Sequence, residues 1–176
     1  MTSVALLRGI NVGGQNKVEM SRLKAAIERL GASKVRTYIN SGNVIYADPE
    51  PSVTEIEDAL EEEFGWRIKV LVRDRRAMES TAQAIPETWV TDATMRCDVL
   101  FLSDDLNKPE VIDGLPAKAG IDNLLYVNGA IIWQVDAADL NRSGRTKIIG
   151  GHLYRQSTVR NANTVRKLVE LMRDPG

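Results

Sequence analysis

Apolar residues fill both parities from Val4 to Leu7 and return at Ile10, which predicts a strand buried on two faces with Arg8 as its one charged neighbour. Met20, Leu23, Ile27 and Leu30 then recur at helical spacing, and Gly31 stands where a left-handed C-cap is expected. Val35, Thr37 and Ile39 alternate with other residues, Ser41-Gly42-Asn43 interrupts, and Val44 to Ala47 resumes the extended pattern, which predicts a hairpin. Ser52 and Glu55 have capping-box spacing. Ile56, Leu60 and Phe64 follow on one helical stripe, and Gly65 ends it. Arg67 to Arg73 predicts a further strand.

Strand, helix, strand, strand, helix, strand over residues 4–73 is the split βαβ plan, an antiparallel sheet with helices on one face. A further helix carries Met78, Ala82 and Ile85, and Pro86-Glu87-Thr88 stops it. From Cys97 the plan recurs: VLFL as a strand, a short helix after Pro109, and LLYV joined to AIIWQV by the turn Asn128-Gly129. A helix through Arg145 to Tyr154, the extended stretch STVRN, and a closing helix carrying Val165, Leu168, Val169 and Met172 complete it. The expected fold class is α+β, with two ferredoxin-like halves built of antiparallel sheets and flanking helices. The expected division is 1–85, a connection over 86–96, and 97–176.

A chain of 176 residues suits one domain or two small associated halves. Its formal net charge of −1 argues against a whole-chain electrostatic grip on DNA or membranes. Cys97 is the only cysteine, so an intramolecular disulfide is excluded and a reducing compartment, the cytoplasm, is expected. No stretch reaches the apolar length of a membrane span, so no membrane partner is expected.

In a βαββαβ unit the exit of the first strand and the turn between the second and third lie at one edge of the sheet. Asn11, Gly13, Gly14 and Lys17 should therefore share a rim with Ser41 and Asn43, with Arg8 beneath. Exposed N–H groups, amides and cations of that kind suit an anion, although Gly-Gly and Ser-Gly-Asn are also what ordinary turns require. Gly9 and Gly14 are spaced as in a phosphate-binding P-loop, but Gln15 and Asn16 stand where Lys and Ser/Thr should follow, so that motif fails. Tyr38 and Tyr46 are too few aromatics for an RNA-recognition sheet.

His152 is the single histidine, and Cys97 has an aspartate beside it, so nucleophilic and zinc chemistry both lack their groups. No metal and no cofactor is expected. The carboxylates Glu55, Glu57, Asp58, Glu61, Glu62 and Glu63 read as a solvated helix surface. Arg142, Arg145, Lys147, Arg155, Arg160, Arg166 and Lys167 form a basic block in a neutral chain, and Asn161 and Thr164 fall where STVRN enters the last helix, suited to capping or to anion binding.

The strings LLRGINVGGQNKVEMSRLK, TYINSGNV and TVRNANTVRKL resemble, in order and over nearly the whole chain, the bacterial domain-of-unknown-function 1697 family. Glu19 replaces a common proline, and Ala162 replaces an aromatic often present there. The resemblance implies an α+β fold and marks Arg8, Asn11, Gly13, Gly14, Lys17, Ser41, Asn43, Arg160, Asn161 and Thr164, without implying an activity. The expected function is a non-catalytic binding module for an anionic small molecule or a nucleic-acid segment. The alternatives are a cofactor-independent enzyme acting on an anionic substrate, or an interaction scaffold anchored by Trp66, Trp89 or Trp133. Homo-oligomerisation stays open.

Overall fold

Aliphatic side chains on both parities make Thr2–Leu7 a central strand, β1, in the computed structural model, which describes residues 1–174. Helix α1 (Met20–Arg29), strands β2 (Ser33–Tyr38) and β3 (Asn43–Ala47), helix α2 (Val53–Phe64) and strand β4 (Val70–Asp74) follow. The sheet order is β2-β3-β1-β4, antiparallel throughout, with Val4 paired to Ile45 on one side and to Arg73 on the other. Ala5, Leu7, Val44 and Tyr46 pack with Leu23, Ile27, Ile56 and Leu60, so both helices lie on one face of the sheet.

Local sequence explains the helix limits. Ser52 and Glu55 form a complete capping box at α2, and Gly65 closes that helix at φ +82°. Glu57 departs from the expected solvated acidic surface: it is 6% exposed, accepts from the backbone N–H of Val70 at 3.1 Å, and pairs with Arg67 and Lys69. Its partners lie at the entry of β4, so the carboxylate fastens helix to strand.

The second half repeats the sheet. After helix α3 (Arg75–Ala84), strands β5 (Met95–Leu102), β6 (Asp122–Val127), β7 (Ala130–Asp136) and β8 (Ser157–Asn161) pair in the order β6-β7-β5-β8, again antiparallel. Helices α4 (His152–Arg155) and α5 (Ala162–Arg173) flank β8. The crossovers differ from those of the first half. The β5–β6 connection carries only 3₁₀ turns at Asp104–Leu106 and Pro109–Ile112. The helix expected over Arg145 to Tyr154 is broken: a 3₁₀ segment ends at Ile148, Ile149 is extended, Gly150 is left-handed at φ +80°, and α4 starts at His152. Leu100, Leu102, Ile131, Trp133 and Ile148 form a core on one face.

The chain divides into two compact units, Met1–Arg76 with the segment from Leu168 onward, and Ala77–Lys167. Residues 175 and 176, the end of the expected C-terminal half, lie outside the described residues. Among the described residues no helix is long and apolar enough to cross a membrane.

Candidate functional site

Gly13 and Gly14 form the tip of a miniature hairpin. Val12 bridges Gln15, the Gln15 N–H donates to the Val12 carbonyl at 3.0 Å, and both glycines are left-handed, at φ +58° and +76°. A two-residue turn with both central φ values positive needs residues without a Cβ penalty. Asn11 and Asn16 flank it, also left-handed, and the Asn11 N–H donates to the Asn16 carbonyl at 3.0 Å. Residues 12–17 are all exposed, and a Cβ at Gly13 or Gly14 would meet nothing within 4 Å. The Gly13 and Gly14 N–H groups find no protein acceptor among the described residues, and Lys17 makes no ion pair there.

The two loops meet through Asn11. Its Nδ2 donates to the Asn40 carbonyl at 2.7 Å and to the Val18 carbonyl at 3.1 Å, and its Oδ1 accepts from the Val18 N–H at 2.9 Å. Asn43 is fully buried, with Nδ2 donating to the Tyr38 carbonyl and to Ser41 Oγ. Both carboxamides are therefore engaged in holding the loops. Gly42 lies in the turn at φ +82°, where an added Cβ would stand 2.6 Å from Ile10 Cδ1 and 2.8 Å from Leu7 Cβ. Arg8 is half-buried at the end of β1, with its N–H donating to the Lys69 carbonyl. The exposed face of the rim is thus the glycine tip and Lys17, with Ser41 and Arg8 part-exposed beside them.

Arg160, Asn161 and Thr164 belong to the second unit. Arg160 is 7% exposed, donates to the Val159 carbonyl at 2.8 Å, and has its guanidinium pushed down to about 10 by burial. It pairs in register with Val99, as Arg73 pairs with Val4 in the first unit. Asn161 Oδ1 accepts from the Thr164 N–H at 2.9 Å, the local bond of a helix cap, and Thr164 is buried. Trp133 is fully buried, and Trp66 and Trp89 are partly buried.

A further polar centre carries no signature in the sequence. Asp122 accepts from Trp133 Nε1 at 2.9 Å, the Lys118 N–H at 2.8 Å, the Gly144 N–H at 2.8 Å and the Ser143 hydroxyl. Burial alone would raise its pKa, but these four donors outweigh it and hold the carboxyl below the usual aspartate range. Gly144 is packed so closely that a Cβ would stand 1.6 Å from the Pro116 carbonyl oxygen. Cys97 is buried, and its thiol is pushed up to about 12, first by that burial and then by Asp98, against a smaller opposing effect of Arg166. Among the described residues no cluster of His, Cys, Asp or Glu is arranged to hold a metal ion.

The family model described as a protein of unknown function (DUF1697) matches residues 1–133. The chain is also similar to the solved structure of the conserved bacterial protein SP0830 from Streptococcus pneumoniae, at 27% identity over 98% of each chain with a TM-score of 0.80. No curated protein matches it.

Proposed function

We propose that this chain, which belongs to the DUF1697 family, is a non-catalytic cytoplasmic binding module for an anionic ligand, a phosphate-bearing small molecule or a nucleic-acid segment. The observation that carries the reading is an open Gly13-Gly14 tip and an exposed Lys17 on one loop, which is fastened to the Ser41-Gly42-Asn43 turn by the Asn11–Asn40 hydrogen bond of 2.7 Å. Unpartnered N–H groups beside a lysine attract an anion without a P-loop or a metal. In this reading Gly13, Gly14, Lys17, Ser41 and Arg8 contact the ligand. Asn11 and Asn43 position the loops. Arg160, Asn161 and Thr164 order the entry of α5.

Titration with nucleotides and a short oligonucleotide tests it. Lys17→Ala should weaken binding about tenfold, the scale of one charge-assisted hydrogen bond, and affinity should fall with added salt. Binding that ignores both Lys17→Ala and salt, or no binding across the series, overturns the proposal. The oligonucleotide arm separates a nucleic-acid segment from a free nucleotide.

A further inference from the structure

We infer that the Ala77–Lys167 unit carries a separate pocket for a small organic carboxylate with an apolar body, gripped by Arg96 and Arg145. Alternate residues of β5 share a face, so Arg96, Asp98 and Leu100 project together. The segment after β7 supplies Arg145, Ile148 and Ile149 above them, and the neighbouring strand supplies Val159, paired to Leu100. All of these except Asp98, together with Tyr154, line a partly open cavity of about 240 Å³.

Charge selects the occupant. Asp98 is almost completely buried, and one oxygen, Oδ2, takes both Arg96 Nε at 3.1 Å and the Arg145 guanidinium. Two cations on one carboxylate leave one positive charge in excess. Arg96 uses only Nε and Arg145 only Nη2, so their remaining guanidinium N–H groups have no protein acceptor among the described residues. A carboxylate balances the single charge and matches the guanidinium fork, whereas a phosphate dianion would overcompensate it. The remaining walls are the aliphatic Leu100, Ile148, Ile149 and Val159 with the aromatic Tyr154, and they suit an apolar body. The volume lies below the ~300–1,000 Å³ of sites for larger ligands, which favours a small acid over a nucleotide.

Benzoate is the probe, with benzamide as its neutral isostere, followed by calorimetry and by NMR of the arginine side chains. Benzoate should bind with a dissociation constant of about 1 mM or tighter, shift the Arg96 and Arg145 signals, and bind at least about tenfold tighter than benzamide. Arg96→Met should weaken it about tenfold or more. Ile149→Glu, at an exposed position that leaves Asp98 and its pairs intact, should do the same by placing a negative charge at the mouth. Lys17→Ala should leave benzoate binding unchanged, so this site and the glycine rim fail or succeed separately. No benzoate binding to the folded protein, equal binding of benzamide, or indifference to both pocket variants overturns the inference.

Discussion

At Cys97 and Asp122 the surroundings move two acids in opposite directions. The Cys97 thiol, held up to about 12, stays protonated near neutral pH. Iodoacetamide at pH 8 should leave it unmodified in the native protein and alkylate it in urea. For Asp122 the folded pKa lies below the unfolded value, so the unfolded state takes up its proton first as pH falls. Its contribution to stability is complete above the ordinary aspartate range and disappears as pH drops through the folded pKa. Asp122→Ala should remove that acid-dependent part of the denaturation profile and cost at least about 2 kcal/mol, because the buried Trp133 and Ser143 lose the acceptor of Nε1 and Oγ. Gly42→Ala should cost about 1–3 kcal/mol through its positive φ and the approach of Leu7 and Ile10. Urea unfolding midpoints measure both losses.

Among the elements, those specified by their own few residues were legible. Ser52 and Glu55 are three apart, and the box they form needs nothing else, so Ser52→Ala should lower stability by about 1 kcal/mol. Gly31 and Gly65 likewise end helices by their own left-handed backbone. Elements whose form depends on distant partners were not legible. Glu57 looks like any residue of an acidic helix, and only folding brings the Val70 N–H and Lys69 to it. Arg145 to Tyr154 keeps a helical run of side chains, yet Gly150-Gly151 turns the backbone and leaves two short pieces. The rim was half legible. Topology brings Asn11 to the second loop, but whether a carboxamide serves a ligand or the loop depends on acceptors such as the Asn40 carbonyl, which no spacing reveals.

Over the whole molecule, two sheets share one strand order, with the first strand of each half central, while their crossovers differ. The first unit is discontinuous in sequence, since it takes in the chain from Leu168 onward. Arg36 of β2 donates to the carbonyls of Leu171 and Asp174 at 2.5 and 2.6 Å. Ending the chain at Lys167 should therefore loosen β2, thirty-odd residues from the N-terminus, and hydrogen exchange of the β2 amides should accelerate. If those amides keep full protection, the C-terminal half of α5 is not what orders that strand.

Gly144 sets a different kind of limit. With the Pro116 carbonyl oxygen 1.6 Å from where a Cβ would stand, no rotamer change relieves the conflict, because the obstruction is main chain on both sides. In a library carrying every amino acid at every position, survivors selected for folding should retain glycine alone at 144, whereas the open Gly13-Gly14 tip should also accept Asn and Asp, which tolerate left-handed backbone. The contrast would let mutational tolerance alone distinguish a glycine demanded by its neighbours from one demanded by its own backbone.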